Sequence, residues 1–380
     1  MAGIYIHIPF CRSRCIYCGF YSTTSLEERQ RYVDAVCREL TGDRSNESFL
    51  NDSGELVSSI YLGGGTPSQL TIAQLRQIFD TLNNKVAEDV EVTIEVNPDD
   101  VTDDFANGLH TLPVNRVSMG AQTFCDARLR FLHRRHTAGQ VAEAIGKLRK
   151  AGIGNISVDL MYGFPNETMA DWEQDIEAAL KLNVEHLSAY CLMVEEGTLL
   201  QKLLSEQCPL STINYILPDE ELERQMYETL IDRLEAAGYE HYEISNFSKP
   251  GFHSRHNSSY WDGTAYIGIG AAAHSYDGRT RSWNVSDIHQ YMEGMERGKR
   301  IFEEEVIDED TRYNDMVTVS LRTKKGLDLS KLSEKHKSYC IKNARRFIND
   351  GLVKINGSYM VLTRRGLFVS DMIMSELMWV

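Results

Sequence analysis

Three cysteines stand close together near the start of the chain, in the run Tyr5-Ile-His-Ile-Pro-Phe-Cys-Arg-Ser-Arg-Cys-Ile-Tyr-Cys-Gly-Phe20. Cys11, Cys15 and Cys18 can give three thiolates to three irons of a cubic 4Fe–4S cluster. Full cysteine ligation of such a cluster needs four, so the fourth iron is left open to an exchangeable partner. A zinc site wants four ligands, usually in two pairs, and no second CxxC follows. A chance grouping of buried thiols is the plainer alternative.

Further along, residues that could hold a ligand recur where extended runs end. Gly63-Gly64-Gly65-Thr66-Pro67 follows Ile60-Tyr-Leu62, and glycines let backbone groups come close to a ligand where a Cβ would block them. Glu95 closes the next run in Ile94-Glu95-Val-Asn-Pro98. Gln122 closes the fourth in Ser118-Met-Gly-Ala-Gln122, with Arg134 in the segment after it. Asp159 leads Asp159-Leu-Met-Tyr-Gly-Phe-Pro165. Polar side chains at successive strand ends suit a cofactor that bears a ribose and a carboxylate.

These residues need a scaffold, and the apolar periodicity supplies one. Strands are expected at Ile4–Ile8, Ser59–Leu62, Val90–Val96, Arg116–Met119, Ile156–Met161 and His186–Met193. Helices are expected between them at Leu26–Leu40, Ile72–Leu82, Val141–Ala151 and Trp172–Leu182. Repeated βα units imply an α/β fold with a parallel sheet and right-handed crossovers. Six strands suit a partial (β/α)6 TIM-like barrel, whose ligand site lies at the C-terminal strand ends. The polar segment 42–58 reads as a surface insertion. A charged helix from Pro218 to Gly238 turns Leu222, Met226, Leu230 and Leu234 to the core.

Near residue 300 an acidic stretch, Glu303–Glu305 and Asp308–Asp310, marks a boundary. Helices at Thr311–Leu321, Leu329–His336 and Tyr339–Asn349 follow. A hairpin then turns at Asn356-Gly357, and a last helix runs from Arg365 to Trp379. This is a helical, winged-helix-like pattern. Its 13 Lys/Arg against 12 Asp/Glu over residues 301–380 give no basic face for DNA, so packing or docking is the expected role. Three units result: residues 1–210 as the partial barrel, 211–300 as a segment that completes it, and 301–380 as the C-terminal domain.

The net charge of −15 on 380 residues argues against nucleic acid as a partner. Beyond the cluster loop, Cys37, Cys125, Cys191, Cys208 and Cys340 form no paired framework, which suits a reducing compartment. With no signal peptide and no apolar run of membrane-spanning length, a cytoplasmic protein is expected.

The CxxxCxxC spacing together with the Gly63–Pro67 turn resembles the radical S-adenosylmethionine superfamily. In detail, the first run, the glycine turn, Glu95-Val-Asn-Pro, Gly120-Ala-Gln122 and Asp159-Leu-Met-Tyr-Gly-Phe-Pro are similar to the oxygen-independent coproporphyrinogen III oxidase family, over nearly the whole chain. That resemblance implies a 4Fe–4S cluster on Cys11, Cys15 and Cys18, with S-adenosylmethionine on its open iron. It also implies cofactor contacts from Tyr5, Gly64, Gly65, Thr66, Glu95, Gln122, Arg134, Asp159 and Met193.

Two departures point to the haem chaperone branch of that family. Phe20 stands where the oxidases carry a fourth cysteine, and the first ligand comes as early as residue 11. The run His256-Asn-Ser-Ser-Tyr260-Trp261 fits the branch's HNxxYW pattern. The resemblance therefore implies haem as cargo, haem proteins such as membrane respiratory proteins as acceptors, and a homodimer as a candidate assembly. The alternative activity is oxidative decarboxylation of two propionates of coproporphyrinogen III.

His256 is the haem-ligand candidate: a loop histidine beside Tyr260 and Trp261, whose rings could cover a porphyrin, with Arg255 for a propionate. His7 is expected to face the cofactor. His133 and His136, around Arg134, are expected in the cofactor wall.

Overall fold

The structure, a computed structural model, describes residues 2–42, 56–82, 86–205 and 215–380. Most of the polar insertion expected over 42–58 lies outside the described residues, as does Cys208.

Six parallel strands form where periodicity placed them: β1 (Ala2–Ile8), β2 (Val57–Gly64), β3 (Val86–Val96), β4 (Arg116–Gln122), β5 (Asn155–Tyr162) and β6 (His186–Cys191). One face of each is apolar and fully covered. Ile4, Ile6, Ile8, Leu62, Ile94, Val117, Val158 and Leu187 are buried in one continuous core with the helices that return between strands. Those helices are α1 (Arg29–Thr41), α2 (Ile72–Thr81), α3 (Asp103–His110), α4 (Asp126–Phe131), α5 (Ala138–Lys150) and α6 (Met169–Lys181).

α2, α5 and α6 each open with a reciprocal capping box, Thr71 with Gln74, Thr137 with Gln140 and Thr168 with Asp171. The boxes start α5 and α6 one turn before their apolar periodicity begins. After a further short helix, α7 (Leu199–Leu204), comes α8 (Glu220–Ala236), which buries Met226, Leu230 and Leu234 as expected, with Leu222 partly buried.

The other face is polar, which is unusual for strands covered on both sides. The register aligns Tyr5 with Tyr61, Tyr61 with Thr93 and Thr93 with Arg116. A second row runs Glu95, Ser118, Ser157, His186, and a third Gly120, Asp159, Ser188. Because side chains alternate strictly, all of these share the inner face.

Two additions go beyond the six-strand expectation. At one edge the sheet is extended by β7 (Glu240–Glu243), which pairs antiparallel with β8 (Asn246–Ser248), itself antiparallel to β6. After the helix α9 (Arg255–Trp261), β9 (Tyr266–Ile269) pairs parallel with β1 on its other side. β10 (His274–Tyr276), β11 (Thr280–Asn284) and β12 (Phe302–Val306) continue from β9, so the sheet stays open. Glu39 of α1 fastens these strands from within. It accepts the Gly270 amide at 2.9 Å, the Asn284 amide at 2.9 Å and the hydroxyl of Tyr291, on α10 (Ile288–Glu296), at 2.7 Å.

Within the acidic stretch, Glu303–Glu305 form the middle of β12, an exposed edge strand with Glu305 ion-paired to Arg281 at 2.8 Å. Charge on an edge strand blocks pairing with other chains.

A second core forms beyond it, from α11 (Glu309–Ser320), β13 (Leu327–Asp328), α12 (Glu334–Asn349), the hairpin β14 (Val353–Asn356) and β15 (Tyr359–Leu362), and the last helix, while the short α13 (Arg364–Phe368) before α14 (Ser370–Leu377) packs Leu367 and Phe368 on the first core. Expected as one helix, the C-terminal segment is two. The expected helix at Leu329–His336 is a 3-10 turn, Leu329–Lys331, and then the start of α12.

Candidate functional site

The cysteine loop leaves β1 at Ile8 and is fastened at several points. Cys11 N–H donates to Thr23 carbonyl at 2.9 Å, and Thr23 N–H to Pro9 carbonyl at 2.7 Å. Ile16, between the second and third cysteines, buries its side chain with Leu132, Met161, Phe164, Leu192 and Leu200. Its backbone bonds Leu132 and Leu200. An apolar anchor and a short backbone ladder thus hold three free thiols at the C-terminal mouth of the strands.

His7 acts on this loop, not on an open ligand space. Its Nε2–H donates to the Tyr21 carbonyl and its Nδ1 accepts from the Tyr5 hydroxyl, both at 3.0 Å. Burial holds its pKa down at about 4, so the ring is neutral and joins β1 to the end of the loop.

The glycine turn is closed by the protein's own packing. A Cβ at Gly65 would lie 2.7 Å from the Pro9 carbonyl carbon, and one at Gly63 would lie 2.8 Å from the Tyr61 ring. Gly64 has φ +109°, with the His7 ring where its Cβ would go. Thr66, next in line, places its hydroxyl 3.5 Å from Cys11 Sγ and accepts from Asn97 at 3.3 Å.

Arg134 ties the loop to the strand ends. It donates to Cys15 Sγ at 3.7 Å, to Asn97 Oδ1 at 2.8 Å and to the Gly120 carbonyl. Gln122, at the end of β4 beside a break in register, has φ 68°. Non-glycine residues adopt this left-handed region at a cost, and such positions gather at ligand sites.

Glu95 accepts from the Tyr61 hydroxyl at 2.8 Å and the Gly64 amide at 3.2 Å. Burial pushes its pKa up to about 7, with the charge of Asp159 adding to the shift. Burial also raises Asp159, against hydrogen bonds from Ser188 and Ser118, the latter at 3.2 Å. Two carboxyls half-buried on one inner face, without a basic side chain within ion-pair distance among the described residues, suit a ligand bearing hydroxyl and ammonium donors.

The thiols themselves fit an iron cluster. Burial raises Cys11 and Cys18, and each is raised further by the neighbouring cysteines. As bare thiolates the three would repel, and iron would relieve that repulsion. Among the described residues no three His, Cys, Asp or Glu side chains converge on one ion. A cubic cluster asks for something different, one iron per thiolate.

The structure therefore brings together Tyr5, Cys11, Cys15, Gly64, Gly65, Thr66, Glu95, Arg134 and Asp159 in a chain of contacts around the strand ends. Met193 does not join it. β6 stops at Cys191, short of the expected end, and Met193 stands 68% exposed beyond it. His133 is also exposed. His136 is buried and donates to the Ala121 carbonyl at 3.2 Å. Asn97, Ser118, Ser188 and Tyr61 belong to the site although motif reading passed over them. Their signal is the two-residue alternation that places each on the polar face.

His256 is a correction. It lies not in a loop but on α9, 1% exposed, with Nδ1 on Ser59 Oγ and Nε2 on the Tyr260 hydroxyl, both at 2.9 Å. Glu91 holds the start of α9, accepting the Arg255 and His256 amides at 3.0 Å each. Arg255 is spent on Asp89 at 2.8 Å. Ser59, Glu91 and Gly3 mark the N-terminal strand ends, so α9 closes the barrel at the end opposite the cysteines. Five residue steps from Gly3 to Ile8 span roughly 17 Å.

Comparison with known proteins agrees with this geometry. Residues 5–179 match the model of the radical SAM superfamily, and residues 307–369 that of the HemN C-terminal domain. The chain is 36% identical over 335 residues to the heme chaperone HemW of Lactococcus lactis, covering 88% of this chain and 84% of the relative. It is 32% identical to the heme chaperone HemW of Mycobacterium tuberculosis, covering 99% of this chain and 94% of the relative. The solved structure of coproporphyrinogen III oxidase (HemN) from Escherichia coli superposes with a TM-score of 0.80 at 23% identity, over 99% of this chain and 90% of that one. That likeness bears on the fold alone.

Proposed function

The chain belongs to the heme chaperone HemW family, and from that premise we propose that it binds haem and passes it to acceptor proteins, on a scaffold for a 4Fe–4S cluster and S-adenosylmethionine. Similarity to the chaperones along almost the whole chain carries this reading. Phe20 agrees with it. Where the oxidase branch is expected to carry a further cysteine, this chain has a side chain 71% exposed.

When bound, a cluster with an open iron beside a sulfonium cofactor supplies one-electron chemistry. The chain's own residues have simpler tasks. Cys11, Cys15 and Cys18 would hold the cluster, with Thr66 and Arg134 fixing two of the sulfurs by hydrogen bonds. Glu95 and Asp159 would receive donors of the cofactor, and Tyr5, stacked 6.2 Å from Tyr61, walls the space below. Residues 1–210 would form the cofactor-binding unit, 211–300 its completion and 301–380 a docking unit. The acceptors proposed are respiratory haem proteins. No helix among the described residues is long and apolar enough to cross a membrane.

The test is transfer. Haem-loaded, anaerobically reconstituted protein is mixed with a haem-free acceptor protein, and the Soret band should move to the acceptor. In parallel, coproporphyrinogen III, dithionite and S-adenosylmethionine should yield no protoporphyrinogen. Turnover to protoporphyrinogen without haem transfer would replace the chaperone reading with the oxidase.

A further inference from the structure

If His256 is braced inside the barrel, haem needs another seat. A cavity of about 560 Å³ lies between α9 and the C-terminal unit, within the ~300–1,000 Å³ usual for cofactor sites. Its walls are held together by backbone bonds: Ile244 N–H to the Arg322 carbonyl at 2.9 Å, and Lys324 N–H to the Tyr242 carbonyl at 3.1 Å. Tyr260, Trp261, Tyr266 and Met316 line it. The HNxxYW motif is thus divided. Its histidine points inward as a brace held by the Tyr260 hydroxyl, while the rings of Tyr260 and Trp261 also line the cavity.

His253, three residues before that brace, is the histidine among the described lining residues. Its ring stacks on Tyr242 at 4.2 Å and 17°. Its Nε2 lies 2.8 Å from the Glu240 carboxylate. An Nε2–H given to a carboxylate leaves the Nδ1 lone pair for a metal, the arrangement that orients histidine ligands in metal sites.

The lining also carries Arg312, Lys324 and Lys325, none within ion-pair distance of a carboxylate among the described residues. The same lining holds the carboxylates of Glu243, Asp262, Asp315 and Asp328, so it is the cations without a carboxylate partner, not an overall positive charge, that suit the propionates of an anionic ligand.

We propose that this cavity is the haem seat, with His253 as the iron ligand and Arg312, Lys324 and Lys325 as partners for the propionates. The proposal rests on the chaperone reading and locates its cargo at the end of the barrel away from the cysteines.

Haemin and iron-free protoporphyrin IX, titrated into the full-length protein, test it. His253 and both lysines are exposed, so His253→Ala and the double variant Lys324→Glu, Lys325→Glu should fold. Charge reversal should weaken both probes by roughly tenfold or more. His253→Ala should shift the Soret band and weaken haemin while leaving protoporphyrin unaffected. His289→Ala, an exposed site away from the cavity, serves as control and should change neither. Unaltered haemin binding in both cavity variants overturns this location and leaves the chaperone reading standing. Absence of haemin binding by the unsubstituted protein overturns both.

Discussion

Asp159 sits at the meeting point of β4, β5 and β6, where Ser118 and Ser188 hold its carboxylate toward the barrel interior. Replacing it with Ala should cost one charge-assisted hydrogen bond to S-adenosylmethionine, about 1.5–3 kcal/mol. That is a roughly ten- to hundredfold weaker dissociation constant, read by calorimetry, with the cluster spectrum kept. An unchanged constant removes Asp159 from the cofactor site.

His256 makes the opposite kind of prediction, one about folding. Burial lowers its pKa to about 3, so the folded state binds fewer protons than the unfolded state between that value and about 6.5. Its contribution to stability is therefore present above pH 6.5 and lost as pH falls. Glu95, Glu167 and Glu243, each raised to about 7 by burial, act with the opposite sign. Comparing His256→Gln with the parent at each pH cancels them. By pH 4.5 the variant should have regained about 3 kcal/mol relative to the parent, measured by urea unfolding at pH 7.5 and 4.5. A constant difference across that range would mean that His256 is not buried neutral. Motif reading identified the right segment here but could not tell brace from ligand. That distinction depends on Ser59, which is distant in sequence and meets the ring only once the sheet has formed.

At the scale of elements, glycines separate packing from propensity. Gly65 meets the Pro9 backbone, so Gly65→Ala must displace the cysteine loop, and it should prevent anaerobic reconstitution of the cluster. Gly146, in the middle of α5, has nothing within 4 Å of a Cβ. Gly146→Ala should raise stability by about 0.5–1 kcal/mol and leave the cluster intact. Normal reconstitution of Gly65→Ala would contradict the tight turn described.

The six parallel strands were legible because each carries an apolar row with a period of two. β9 was not. Its four residues Tyr-Ile-Gly-Ile are too short and glycine-bound to signal a strand, and only the exposed edge of β1 makes them one. The acidic β12 was not legible as a strand for a related reason, since its burial pattern is that of a fully solvated edge.

At the scale of the molecule, the cysteine site and the proposed haem seat lie at opposite ends of one barrel: cysteines at the C-terminal mouth, and haem beneath α9 against the C-terminal unit. The cysteine loop and the strand-end residues could be read from motifs. The cavity could not, because its walls, such as Tyr242 and Lys324, come from segments far apart in sequence.

The most direct test is a haemin titration of the full-length protein in which Cys11, Cys15 and Cys18 are all replaced by Ala, beside the reconstituted parent. The brown cluster absorbance should disappear while the Soret band and haemin affinity remain those of the parent. Loss of the Soret band along with the cluster would put haem on the cysteines and contradict the two-ended arrangement.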